Sequence, residues 1–95
     1  VNKSAGPSPT EVVISWIPHD ARFRDRAVRH ALSDLTGQRL FVYVNNLVTR
    51  SHDDGRPLGE YDLRTMDAVL EDLDHRPLAA VDWRRVREKL IQALG

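Results

Sequence analysis

Two short runs of consecutive apolar residues constrain this chain more than any other feature. Glu11–Ile17 reads Glu-Val-Val-Ile-Ser-Trp-Ile, and Arg39–Val44 reads Arg-Leu-Phe-Val-Tyr-Val. Both are rich in β-branched and aromatic side chains, which favour strands. Neither alternates between apolar and polar. A short run without alternation is expected to be buried on both faces, as in the centre of a parallel sheet. Pro18 ends the first run. Leu78–Val81 is a third, shorter apolar stretch and is read as a third strand.

Helical spacing fills the intervals. Over Asp20–Thr36, the residues Phe23, Ala27, Val28, Ala31, Leu32 and Leu35 fall on one face. Asp20 suits the N-cap, and Gly37 supplies a left-handed stop. Glu60–His75 carries Leu63, Met66, Val69, Leu70 and Leu73 at the same period, and Pro77 enforces the exit. Asp82 caps a last helix, Trp83–Leu94, with Trp83, Val86, Leu90 and Leu94 on its inner face.

The expected fold is therefore α/β, a small three-layer sandwich of order β-α-β-α-β-α. Its three-stranded, mostly parallel sheet takes the order 2-1-3 if the crossovers are right-handed. The alternative is an α+β ferredoxin-like sheet. There Asn45-Asn46 turns the chain and Leu47–Arg50 adds an antiparallel strand. That sheet would leave one face wet, which suits continuous apolar runs less well.

With 95 residues the chain supports one domain. Residues 1–10 hold Ser4, Gly6, Pro7, Ser8 and Pro9 and read as a flexible linker or tail, leaving residues 11–95 as the domain. No apolar run approaches the length of a membrane span, and no charged-then-apolar leader is visible. Cysteine is absent, which excludes a disulfide scaffold, a thiolate metal site and a cysteine nucleophile, and fits a reducing cytoplasm. Arg outnumbers Lys by 12 to 2, the skew expected of a GC-rich bacterial genome.

A parallel sheet binds ligands at the carboxyl ends of its strands. That edge would gather His19, Asp20, Asn45 and Asp82. Arg24 falls in the middle of the apolar face of the first long helix, from which its head can reach an anion or Asp82. These five residues are the candidate ligand site. The neighbours His19-Asp20 and the run Ser51-His52-Asp53 diverge rather than converge, so neither makes a catalytic dyad or triad. His52, Asp53, Asp54 and His75 lack the spacing of a metal site. There is no phosphate-binding glycine motif. No catalytic residue, metal or cofactor is expected.

Charge carries more information. Formal net charge is zero, with 14 bases and 14 acids. The blocks differ, at +3 over residues 20–50, −6 over 53–82 and +3 over 83–95. Arg22, Arg26 and Arg29 form a basic stripe opposite an apolar face. Asp67, Glu71 and Asp74 form an acidic stripe on the second long helix. Zero net charge and the lack of interleaved aromatics disfavour nucleic acid. Complementary stripes favour a protein partner or self-association.

The stretch Val12-Val13-Ile14-Ser15-Trp16, then His19-Asp20-Ala21-Arg22-Phe23, then Ala31-Leu32 and Leu35, resembles the opening strand–helix unit of Toll/interleukin-receptor-like domains. The resemblance covers about a quarter of the chain. It implies a flavodoxin-like parallel sheet. It implies no NAD-cleaving activity, because no position matches that family's catalytic glutamate. Glu88, which follows Trp83 in the last helix, does not take that role. The expected function is a non-enzymatic interaction module of a larger bacterial signalling or defence protein. The rival expectation is a small ligand- or nucleotide-binding domain that uses the sheet edge.

Overall fold

The computed structural model describes residues 8–94, with the backbone alone at Leu94. It is helical. Five α-helices run in order: α1 (Pro9–Trp16), α2 (Ala21–Ser33), α3 (Gln38–Val48), α4 (Glu60–Leu73) and α5 (Trp83–Leu94). Two 3-10 turns, Ile17–His19 and Leu78–Ala80, precede α2 and α5. Among the described residues there is no strand, and only one isolated bridge pairs Asp53 with Arg56. The three-stranded sheet and the ferredoxin-like alternative are both overturned, and with them the α/β class. The opening strand implied by the family resemblance is replaced by α1.

Each expected strand fails for a physical reason. α1 begins at a capping box. The Ser8 hydroxyl accepts from the Glu11 amide at 3.3 Å, and the Glu11 carboxylate accepts from the Ser8 amide at 3.4 Å. Pro9 sits at the first helical position, where its missing N–H is no loss. Ser8-Pro9-Thr10-Glu11 is thus a helix start signal within the expected linker. The rest of that linker, residues 1–7, lies outside the described residues. α1 then buries Val12 and Val13, with Ile14 and Trp16 half-buried. A helix enclosed over most of its circumference is apolar on successive residues, so it mimics a doubly buried strand.

α3 continues through Asn45-Asn46, which form no turn, and takes in Leu47 and Val48 of the expected Leu47–Arg50 strand. Leu40, Tyr43, Val44, Leu47 and Val48 are buried at helical spacing, whereas Val42 is 47% exposed. A strand would have placed Val42 on one face with Leu40 and Val44. The start of α3 is capped by neighbours. The Asp34 carboxylate accepts from the Thr36 amide at 2.9 Å and the Arg39 amide at 3.3 Å. Leu78–Ala80 is a 3-10 turn whose Leu78 carbonyl accepts from the Trp83 indole at 3.0 Å. A run this short has too few residues to choose its own state, and burial of Leu78 and Val81 decides it.

The expected helices are present. The Asp20 carboxylate accepts from the Arg22 amide at 3.0 Å, and that of Asp82 accepts from the Arg85 amide at 3.2 Å. Gly37 is left-handed at φ 82° and packs against the Trp83 backbone. α4 ends two residues early, where Asp74 and His75 turn left-handed at φ 50° and 64°. Leu32 and Leu35 were expected in the core but are 57% and 76% exposed; Leu32 sits in the last turn of α2, and Leu35 lies beyond the helix, which stops at Ser33. The side chain of Leu94 lies outside the described residues.

The core is a single cluster. Phe23, Ile17, Leu40, Leu47, Met66, Leu73 and Leu90 are its largest fully buried side chains. α2 packs on α3 and α5, and α1 and α3 each touch both α4 and α5. α4 packs on α1 and α3, and its backbone does not come close to that of α5. This arrangement positions the charged surfaces.

Candidate interaction surfaces

The expected ligand site does not assemble. Among the described residues there is no sheet edge to gather it. His19 is exposed at the end of its 3-10 turn. Asp20 caps α2 and accepts from the Trp16 indole at 3.1 Å and the Arg22 guanidinium at 3.1 Å. Burial pushes the Asp20 carboxyl up, but these hydrogen bonds outweigh it and hold its pKa below the usual carboxylate value. His19, Asp20 and Arg22 share a shallow cleft of about 540 Å³ with α4 residues including Thr65 and Asp72. Arg24, Asn45 and Asp82 do not line it. Arg24 is half-buried on α2 and Asn45 half-buried on α3, while Asp82 caps α5.

The basic stripe of α2 is largely neutralised from within. Arg22 bridges Asp20 and Asp62, the latter at 3.3 Å, and donates to the Thr65 hydroxyl. Arg26 clasps Asp53, with Nε to Oδ1 at 2.7 Å and Nη2 to Oδ2 at 2.5 Å. Arg29 stays exposed. On α4, Asp67 pairs with Arg50 and Glu60 with Arg64. Glu71 and Asp74 are exposed and make no ion pair among the described residues.

Asp53 is the functional-looking residue that sequence spacing missed. It is the buried charged group of the core, 5% exposed. Besides Arg26 it accepts from the Tyr43 hydroxyl at 2.8 Å. Burial and the Asp53 carboxylate push the Tyr43 phenol above its ordinary pKa. The His30 ring stacks on Tyr43 at 5.0 Å, and its Nε2 lies 3.1 Å from Asp54. Asp54 and Gly55 are both left-handed, at φ 56° and 89°, between the paired residues Asp53 and Arg56. The Asp54-Gly55 dipeptide is the sequence signal for such a turn. This network fastens the loop after α3 to α2 and α3, and Arg26 answers the buried charge of Asp53.

No protein-family model matches the chain, and neither a curated protein nor a solved structure matches it. Besides isolated residues such as Asp25, Arg29, Arg39 and Arg56, two surfaces carry neighbouring like charges outside any ion pair among the described residues. At the end of α4, Leu70, Glu71, Leu73, Asp74, His75 and Arg76 line a groove of about 520 Å³. Arg76 does not neutralise it. Its guanidinium donates to the Leu73 carbonyl at 2.7 Å and the Asp72 carbonyl at 3.0 Å, closing the helix end. The groove thus combines two carboxylates, a helix C-terminus and the 41%-exposed Leu70. On α5, Arg84, Arg85 and Lys89 are exposed without an acidic partner among the described residues, with Glu88 between them. Arg87 is tied to the Ala31 carbonyl at 2.8 Å.

Among the described residues no group of three or more His, Asp or Glu side chains gathers in the manner of a metal site. No described helix is long and apolar enough to cross a membrane.

Proposed function

We propose that this chain is a non-enzymatic docking domain that binds protein partners through opposite charges on α4 and α5. The observation that supports this reading is what internal pairing leaves over. Arg22, Arg26, Asp53, Asp62 and Asp67 are matched within the molecule. Glu71, Asp72 and Asp74 at the end of α4, and Arg84, Arg85 and Lys89 on α5, are not, and these are its like-charged groups of neighbours. Arg24, Arg29, Arg39 and Arg56 are unpaired elsewhere on the described surface. The docking pair expected from sequence, the α2 arginines against the α4 acids, is replaced on the basic side by α5. A neutral chain that segregates its free charge gains orientation and encounter rate from complementary fields, more than raw affinity. The matched arginines of α2 also shrink the basic surface that a nucleic acid would need. A sequence without cysteine suits a cytoplasmic setting.

Titration with an arginine-rich peptide and with a glutamate-rich peptide, followed by backbone NMR shifts, tests this. The basic peptide should shift α4 residues around Glu71, and the acidic peptide α5 residues around Arg85. Both sets of shifts should fade at high salt. Absence of shifts with either peptide at low salt would overturn the reading.

A further inference from the structure

We infer that Asp54-Gly55 is a self-modification site, at which the fold drives the aspartate through a cyclic imide to isoaspartate, with His52 and His30 moving the protons. The inference stands apart from the docking reading and rests on three observations.

First, the dipeptide is chemically open to the reaction. It is the one Asp-Gly in the chain, and no Asn-Gly occurs. An aspartyl carboxyl group can be attacked by the amide nitrogen of the next residue, which closes a five-membered ring. A following glycine has no side chain to hinder that approach. Both residues are exposed, and nothing stands within 4 Å of the place a Gly55 Cβ would take. The Gly55 amide also takes no part in the backbone pairing of Asp53 with Arg56 on either side of it.

Second, the attacking nitrogen already has a base on it. The Gly55 N–H donates to Nδ1 of His52 at 2.9 Å, within the reach of a general base.

Third, the carboxylate has a proton source on it. Nε2 of His30 lies 3.1 Å from Oδ1 of Asp54, although the two residues are 24 positions apart. Stacking on Tyr43 at 5.0 Å holds the His30 ring there. An imidazolium in that place hands its proton to the carboxylate and makes it a better acceptor of the nitrogen. Tertiary structure thus sets one histidine on each reacting group.

The steps balance. The Gly55 N–Cγ bond of the ring forms and a Cγ–O bond of Asp54 breaks. The oxygen leaves as water with two protons, one from the amide by way of His52 and one from His30. Water then adds to either imide carbonyl, a C–N bond breaks, and the proton released returns to His30. Opening at the main-chain carbonyl of Asp54 gives isoaspartate, whose chain runs through the former side chain and whose free carboxylate sits on Cα. The extra backbone carbon remakes the Asp53–Arg56 turn and displaces the carboxylate that His30 holds, the contacts that shape the loop tip.

The experiment incubates the purified chain at neutral pH beside a peptide of residues 50–58. Isoaspartate at position 54 is followed by peptide mapping with electron-transfer mass spectrometry. A positioned acid or base contributes about 10²–10⁴-fold, so the folded chain should isomerise at least about tenfold faster than the peptide. H52N keeps an oxygen acceptor for the Gly55 amide but no base. H30Q keeps a hydrogen-bond donor for Asp54 but no proton to transfer. Each should slow the folded chain at least about tenfold. A folded wild type no faster than the peptide overturns the inference, and that comparison needs no variant to fold. A wild-type rate in H52N or H30Q overturns it as well, since the contacts would then only hold the loop. So does a rise in rate, which would make them restraints on the tip.

Discussion

Arg26 and Asp53 meet through two parallel hydrogen bonds although they stand 27 positions apart in sequence. The pair joins the middle of α2 to the tip of the loop between α3 and α4. Tyr43 completes it from α3. One carboxylate thus ties three segments that no local rule would bring together.

Removing that carboxylate leaves the Tyr43 hydroxyl without its acceptor and leaves the Arg26 guanidinium only the Arg22 carbonyl. Breaking a buried ion pair costs about 3–5 kcal/mol, and partial access to water lowers this. The Arg26 side chain is 21% exposed, so D53A should cost about 2–3 kcal/mol. R26K should also destabilise, because an ammonium cannot reproduce the two-pronged contact. Urea unfolding at neutral pH measures both, and a D53A midpoint equal to the wild type would refute the role given to Asp53.

Gly37 and Gly55 share a positive φ but differ in surroundings. A Cβ at Gly37 would lie 2.8 Å from the Trp83 carbonyl oxygen, whereas nothing stands within 4 Å of one at Gly55. The left-handed region alone costs a non-glycine residue about 1–2 kcal/mol. G55A should lose about that much. G37A should lose clearly more, because the α3 start must move off the start of α5. Thermal unfolding of the two variants side by side checks the order.

Asp20 makes stability depend on pH in a defined sense. Its folded pKa lies below its unfolded value, so it contributes stability above the unfolded value of about 3.9. That contribution is lost as pH falls through the folded pKa. D20N keeps a side-chain acceptor for the cap but loses the charge, so it should be less stable than wild type by roughly 1 kcal/mol at neutral pH. The gap should close at acidic pH. A constant gap between pH 7 and the acid limit would assign the effect to something other than the carboxylate's charge.

The helical register of α3 can be read by substitution. L47A should cost about 2–5 kcal/mol, as for other buried leucines, and V42A should stay within about 0.5 kcal/mol. A strand would instead make Val42 equivalent to Leu40 and Val44. Equal losses at Val42 and Leu47, or a strand signature in far-ultraviolet circular dichroism, would contradict the fold.

Much of the local structure was legible in the sequence. The caps at Asp20 and Asp82, the left-handed Gly37 and the periods of α2, α4 and α5 follow from short-range rules of spacing and hydrogen bonding. So does the start of α1, since Ser8-Pro9-Thr10-Glu11 satisfies the capping box on its own terms. The period of α3 emerges only when the window runs past Asn45-Asn46, where Leu47 and Val48 continue the spacing of Leu40, Tyr43 and Val44. Inside a six-residue window, a helix buried on most sides and a strand buried on two look alike.

The surfaces were less legible, because a charge stripe says which residues share a helix face and nothing of what lies opposite. Glu71 and Asp74 were visible as free acids. Arg22 and Arg26 looked equally free until the fold brought Asp62 and Asp53 against them. By itself the sequence determined where α2, α4 and α5 start and that acid and base are segregated along the chain, since these depend on neighbours a few residues apart. Tertiary structure alone decided that the apolar runs are helices, that Asp53 is buried, and that Arg22, Arg26 and Asp67 are paired while Glu71, Asp74 and the α5 bases are not. Those outcomes depend on which distant segments displace water from one another.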